Sequence, residues 1–389
     1  MLSHYMLPHR GGIEIIVDRL SRDIAEQGYE VTVISSRWGQ APRYEVQNHR
    51  RILRVAAIDP LRKRGAHYPL FSPQIVPLLV YWMKHSDIVH AHGMLYLTTF
   101  LGITLARCLK RASVLTEHAG FVAYENRMLE MAQKMAISTI GLWNLKLSQQ
   151  VLVHEHVVEE YLRRFCLSHL HLIPLGVDTR IFHPVSVDTR RYLRTILGWD
   201  DRPKVLFVGN FVLRKRVELL LQASDPAFDV VLCGEGYPLI SQPHILIYPP
   251  LSHPDLVRLY QAADLFVVPS SIETFCIVAY EAMACGLPVV MTTDLLHLSI
   301  AQSNLITFVD PTPSSLRQAI LELLRDPGLR FRTGEASAEW VRAHFSWEQC
   351  VKQHMRLYEA LLESRKSSSS HGRDNFWSTV SQKGSEKAL

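Results

Sequence analysis

Closely spaced cysteines are missing from this 389-residue chain. Its six cysteines, Cys108, Cys166, Cys233, Cys276, Cys285 and Cys350, show no Cys-x-x-Cys spacing. That pattern supports neither a structural zinc site nor a disulfide framework, so a reducing, cytoplasmic setting is expected. There is also no run of about 18 apolar residues to span a bilayer. The longest candidate, Leu95 to Lys110, is interrupted by Arg107 and reads as a packed helix. A leader with charged, apolar and small-residue regions is absent, so no secretory signal is expected. Charge of one sign is not in large excess: 42 Lys plus Arg against 37 Asp plus Glu give +5, too mild a bias to indicate a nucleic-acid partner. What remains is 48% apolar and 20% charged, ordinary for a globular chain, over a length that exceeds one hydrophobic core. Two domains are expected.

Short β-rich runs alternate with helical patterns, which indicates parallel α/β architecture. In the first half the strand candidates are EVTVISS, DIVHAHG, ASVLTEH, QQVLVHE and LHLIPLG; in the second they are KVLFVGN, FDVVLCGEG, HILIYPP, DLFVVPSS, LPVVMTTD and LITFVD. Between them PLGVDTRIFHP has two prolines and little period, so the boundary belongs there. The expected division is residues 1–180, residues 185–345, a returning helix over 346–364 with Ser346 as N-cap, and a Ser-rich disordered tail over 365–389. A doubly wound domain opens on a central strand, yet only Met1 and Leu2 precede SHYMLPHRGGIE, which reads as the loop after that strand. Two unpaired sheet edges are therefore expected beside a shortened first strand, with the natural chain beginning several residues upstream or the sequence being a shortened variant.

The stretch SSIETFCIVAYEAMACGLPVV places Glu273 and Glu281 around an apolar turn. A helix capped by Thr274, running from about Phe275 to Cys285 and stopped by Gly286, would point the amides of Cys276, Ile277 and Val278 out of its positive end. Such an end suits a phosphate. Glu273 would lie before the helix and Glu281 two turns inside it. Carboxylates accept from hydroxyls and repel phosphate, so both are expected to face sugar while cations and amides face phosphate. The pattern suits a nucleotide sugar.

These motifs resemble the retaining glycosyltransferases of family 4, which have the GT-B fold of two Rossmann-like doubly wound parallel-sheet domains facing across a cleft. The family's mark is Glu, seven residues, Glu, then Ala-Met-Ala, here Glu273, Glu281 and EAMACGLPVV. The resemblance runs from about Ser3 to about Glu363 through GGIE, TEH, IPLGVDTRIFHP, FVGN with Lys215, CGEG and YQAADLFVVPSS. It implies that Glu281 binds the donor ribose, Glu273 the transferred sugar, and Lys215 with the amides after Phe275 the diphosphate. It further implies that His118 faces the donor sugar and that the Gly11-Gly12 loop passes close to phosphate and sugar, where a side chain would obstruct. Retaining transfer from a UDP- or GDP-sugar to a glycan, lipid or small-molecule acceptor follows, with no side-chain nucleophile named. Neither cofactor nor metal is expected, since the sequence has no Asp-x-Asp pair.

Some positions depart from the family pattern. Thr274 and Cys276 stand where glycine is usual, Asn210 where arginine is usual, and Pro249 where glycine is common near the base. Arg214 or Arg216 could replace the missing charge. These departures keep open a donor-binding or scaffold subunit without turnover, and an epimerase of the same fold. His90 and His92 share a strand face that could ligate a metal, but with no third ligand identifiable they are read as packing or cleft lining, while HEH at 154–156 reads as surface. Arg37, Arg43, Arg50, Arg51, Arg54, Arg62, Lys63 and Arg64 form a basic stretch, read as a solvated face or as a contact with an anionic membrane.

Overall fold

The computed structural model describes residues 1–9, 11–62, 68–121, 126–165, 167–236, 244–273 and 275–365. Lys63, Arg64, Cys166, Thr274 and the tail from Lys366 lie outside them. The chain divides into two units, one comprising Met1–Val153, Val158–Ile173 and the chain from Val351, the other His154–Val157 and Pro174–Cys350.

The strands of the first unit are β1 (Val31–Ser36), β2 (Tyr44–Gln47), β3 (Arg50–Val55), β4 (Ala57–Ile58), β5 (Leu70–Phe71), β6 (Ile88–His92), β7 (Ala112–Glu117), β8 (Gln150–Val153) and β9 (Leu170–Leu172). Its helices are α1 (Gly12–Glu26), α2 (Ile75–Lys84), α3 (Leu97–Cys108), α4 (Arg127–Ala136), α5 (Leu142–Leu147) and most of α6 (His156–Arg163). Strands β6 to β9 pair in sequence order and in parallel, while β1 pairs with β3 in parallel. Between β1 and β6 lies the start of the chain. Leu2 bridges Ile34 on one side and Ala91 on the other, with Ser3 N donating to Ile34 O at 3.1 Å and His92 N to Leu2 O at 3.0 Å. The two open edges expected there are thus tied together at these positions, because successive residues of one extended segment donate and accept on both sides.

The sequence reading contains no counterpart of β2 and β3. They form a hairpin whose two turn residues, Asn48 and His49, both have positive φ, the geometry that suits a two-residue turn. The basic stretch is therefore not one solvated face. Arg50 is 1% exposed and donates to the Asp18 carboxylate and to Ser21 Oγ, both at 2.5 Å, while Arg54 is buried against Glu45 at 2.8 Å and Leu7 O at 2.9 Å. Arg62 lies over the Trp38 ring at 4.4 Å. Burial of Arg50 and Arg54 is tolerated because their Nη1 and Nη2 groups find acceptors, although neither Nε does among the described residues.

The second unit has strands β10 (Lys204–Val208), β11 (Asp229–Cys233), β12 (Ile245–Tyr248), β13 (Leu265–Val268), β14 (Val289–Thr292) and β15 (Ile306–Val309). Its helices are α7 (Val187–Leu197), α8 (Val217–Gln222), α9 (His253–Ala262), α10 (Ile277–Ala284), α11 (Pro313–Arg325) and α12 (Pro327–His344). The sheet order β12-β11-β10-β13-β14-β15 is all parallel, the doubly wound 3-2-1-4-5-6 arrangement. Alternate residues of β10 enter two separate cores, Leu206 and Val208 one, Val205 and Phe207 the other. Both faces are covered, which is why these strands read as continuous apolar runs.

Within the second unit Val177 bridges Ser346, with Val177 N donating to Phe345 O and Trp347 N to Val177 O, both at 2.8 Å. The approach leaves no room at Gly176, where a Cβ would stand 2.3 Å from the Ser346 carbonyl carbon and the Trp347 nitrogen. A final helix, α13, covers residues 347–365. Its first turn receives Ser346 Oγ as acceptor for Gln349 N at 3.4 Å.

Candidate active site

In the second unit β10 ends at Val208, and the chain turns past Gly209 and the exposed Asn210 into the single turn Leu213–Lys215. The turn is held against the end of β11. Gly209 N donates to Cys233 O at 2.9 Å and Phe211 N to Glu235 O at 2.6 Å. A Cβ on Gly234 would lie 2.0 Å from Gly209 O, and one on Gly236 2.5 Å from Phe211 O. Close backbone approach therefore explains both glycines of CGEG.

This turn delivers Lys215 to Glu273. Its Nζ donates to Glu273 Oε1 at 2.5 Å, Arg214 Nη1 stands 3.8 Å from Oε2, and the Glu273 carboxylate is 7% exposed. Arg216 instead pairs with Asp294 at 2.7 Å, so of the two replacement cations considered for position 210, Arg214 is the one beside Glu273. Two groups expected to hold separate parts of a ligand are bonded to each other across 58 residues of sequence. An ammonium has three donors, and Glu273 takes one.

Helix α10 begins at Ile277 with Cys276 as its N-cap, later than the expected Phe275, and ends at Ala284 before Gly286, whose φ is +80°. Glu281 consequently lies about one turn inside the helix, not two. It is buried and accepts from Tyr260 Oη at 3.0 Å. Phe275 stacks on Tyr280 with ring centroids 4.9 Å apart. Ile277 and Val278 are partly buried in the first turn, where amides lack intrahelical acceptors. The Cys276 thiol is pushed up to about 12, chiefly by burial and further by the Glu273 charge, with Lys215 opposing. It is a packed thiol, and the electrostatics tie Lys215, Glu273 and the opening of α10 into one locality.

The segment His154–Val157 belongs to this unit, and its expected surface position is wrong for two of the three HEH residues. His154 and Glu155 are buried. Glu155 accepts from Ser299 Oγ, from Ser299 N at 3.1 Å and from Tyr280 Oη at 3.5 Å. Burial raises its pKa above the ordinary carboxyl value, against these hydrogen bonds. The signal was hidden because Ser299 and Tyr280 lie more than a hundred residues away.

In the first unit His118 follows β7, with Nε2 3.1 Å from His92 Nδ1. The loop carrying it is shaped by Glu117, which accepts from Met94 N at 2.6 Å and from Ala119 N and Gly120 N at 3.1 Å. Burial still raises the Glu117 pKa, although these amides oppose it. His90 bonds to Thr116 Oγ1 at 2.6 Å and Tyr358 Oη at 2.5 Å, a packing role. Gly11 is the N-cap of α1 in extended conformation, and a Cβ there would lie 2.3 Å from Glu14 Oε2. Glu14 is held by His9 Nδ1 at 2.8 Å. Gly12 faces open space. The sequence brings forward His118 and reads His92 as packing or cleft lining without pairing the two, and it brings forward Glu281 without its partner Tyr260. The HAH spacing was the available signal for the first, and Tyr260 stands at the head of the motif YQAADLFVVPSS, with nothing local to tie it to Glu281.

Comparison with known proteins agrees with this architecture. Residues 10–181 match the family described as Glycosyltransferase Family 4, and residues 190–340 match Glycosyl transferases group 1. An uncharacterized glycosyltransferase of Methanocaldococcus jannaschii is 34% identical over 369 residues, covering 92% of this chain and 96% of its own. A GDP-mannose-dependent alpha-mannosyltransferase of Mycolicibacterium smegmatis is 27% identical, covering 94% and 98%. Among solved structures, sucrose-phosphate synthase from Thermosynechococcus elongatus superposes with a TM-score of 0.71 at 26% identity, covering 91% and 94%. With two doubly wound units, the Glu273–Lys215 locality and these similarities together, the chain belongs to the family 4, group 1 glycosyltransferases of GT-B fold, enzymes that use nucleotide-sugar donors.

Proposed function

We propose that this glycosyltransferase transfers a hexose or related sugar from a UDP- or GDP-sugar to a hydroxyl of its acceptor, with retention of anomeric configuration and without a metal. The observation that carries the reading is the Lys215–Glu273 pair beside the opening of α10. In this reading Lys215, assisted by Arg214 and the amides of Cys276, Ile277 and Val278, holds the diphosphate and stabilises the charge that grows on it as the glycosidic bond breaks. Glu273 exchanges part of its bond to Lys215 for sugar hydroxyls, and Glu281 takes the ribose. The departing phosphate oxygen assists removal of the acceptor proton, so no side-chain nucleophile is required. Cations and helix amides stand in for the ion that an Asp-x-Asp pair would hold. His118 faces the transferred sugar.

The names of similar proteins support the donor class, one being GDP-mannose-dependent. A thermal-shift screen with UDP-glucose, UDP-N-acetylglucosamine, GDP-mannose and ADP-glucose identifies the donor, because a ligand bound only to the folded form raises apparent stability. Turnover with that donor is expected to be lost in Glu273→Ala. Binding of every donor unchanged by Lys215→Ala and Glu281→Ala would overturn the proposal. Inversion at the transferred carbon, or activity abolished by a chelator, would overturn its stereochemical or metal-free parts.

A further inference from the structure

A cavity of about 310 Å³ opens in the first unit beside the loop that carries His118, lined by Met94, Leu95, Tyr96, Leu129, Ala132 and Ala136. Its polar neighbours are already engaged. Glu117 accepts from the backbone amides of Met94, Ala119 and Gly120 among others, Tyr68 donates its hydroxyl to Leu95 O, and Gln133, also in the lining, has a partner of its own. A guest held here is therefore recognised by apolar contact rather than by hydrogen bonds.

One wall of the cavity is α4. Leu129, Ala132 and Ala136 line the cavity, while Met128, Met131 and Met135, one residue earlier at the same helical spacing, face outward at 80%, 65% and 62% exposure. Among its described side chains α4 has none that is fully buried. Trp143 of α5 is 52% exposed and donates to Thr104 Oγ1 of α3 at 3.1 Å, extending this apolar surface. The exposed charges on α3, α4 and α5, with the residues that directly follow α3, are all cations, Arg107, Lys110, Arg127, Lys134 and Lys146, of which Lys134 is paired with the partly buried Glu130 at 2.5 Å and the other four carry the positive surface. Adaptable methionines, an exposed tryptophan and surrounding cations suit the boundary of an anionic bilayer.

Resting on the transferase reading above, we infer that the acceptor is a membrane lipid: α4 lies on an anionic bilayer, and the cavity behind it takes the apolar chain next to the lipid's hydroxyl-bearing head. Membrane contact is thereby assigned to α3–α5 rather than to the basic stretch around Arg50 and Arg54, whose guanidiniums are buried.

Two measurements on the full chain test this. In sedimentation with vesicles of phosphatidylcholine and phosphatidylglycerol, the wild type is expected to bind, and Met128→Ser/Met131→Ser/Met135→Ser to bind about tenfold more weakly. These side chains are exposed, so folding is expected to be unaffected. In calorimetric titration below its micelle concentration, octyl glucoside is expected to bind about a hundredfold more tightly than methyl glucoside. Ala132→Trp, which fills the cavity, should remove that difference. Equal binding of the two glucosides, or unchanged vesicle binding by the triple variant, overturns the inference. Octyl-chain binding without vesicle binding overturns it also, because the guest would then be a soluble apolar aglycone. Nucleotide-sugar binding, measured in parallel, separates the outcomes: if it persists while both apolar tests fail, the transferase reading stands and the lipid acceptor does not.

Discussion

Replacing Lys215 by alanine separates a donor-binding cation from a merely structural one. The pair spans 2.5 Å with side chains 14% and 7% exposed. At an effective dielectric of 20 the Coulomb attraction is about 7 kcal/mol. Most of it is offset by desolvation, and removing one partner of such a buried pair costs about 3–5 kcal/mol. Arg214, at 3.8 Å but largely exposed, can move toward the orphaned carboxylate. A loss of about 2–4 kcal/mol in urea denaturation is therefore expected for Lys215→Ala. Loss of a charge-assisted hydrogen bond to the diphosphate should weaken nucleoside-diphosphate binding by about 10- to 150-fold. The double variant Lys215→Met/Glu273→Leu removes both charges at similar volume and is expected to recover stability to within about 1 kcal/mol of wild type, yet to remain without transfer activity. A Lys215→Ala protein that loses the expected stability but binds nucleoside diphosphate within about twofold of wild type would refute the reasoning, because the lysine would then serve only its carboxylate partner.

Glu281→Gln, which keeps the acceptor for Tyr260 but removes the charge, is expected to weaken donor binding about tenfold in calorimetry while changing the melting temperature little. In Gly176→Ala the added methyl meets the backbone of Ser346 and Trp347, so a loss of about 1–3 kcal/mol or more is expected in denaturant titration. Burial holds Glu155 above its ordinary 4.5, so the folded chain keeps a proton that the unfolded chain has released. Its contribution to stability is full below 4.5 and is lost as pH climbs through the raised value, a sign shared by Glu117. Glu155→Gln should therefore show a smaller fall in urea midpoint between about pH 4 and pH 7 than wild type, and an identical fall would remove Glu155 from this account.

The parallel strands were legible because both faces of the second unit's sheet are covered: KVLFV and LFVV contribute to cores on each side, so the runs carry no polar interruption. The β2–β3 hairpin was not legible. Its arginines at positions 50, 51 and 54 look solvated until Asp18 and Glu45 are brought beside two of them. The ends of α10 were also beyond reach, because IVAYEAMA is apolar all round and gives no period from which to place its first turn. For the same reason the depth of Glu281 was misjudged by a turn.

Residue order alone determined that Glu273 and Glu281 stand eight positions apart before a Gly-Leu-Pro stop, that Lys215 follows soon after an apolar strand and its glycine, and that two sets of apolar runs build two largely parallel α/β units. These are local properties, set by backbone period and turn chemistry. Only the tertiary structure decided which cation Glu273 meets, that Tyr260 reaches Glu281, that Glu155 is buried, and that α4 separates a cavity from an exposed methionine stripe. Those outcomes depend on which distant side chains share a small volume, and neither period nor composition encodes that distance.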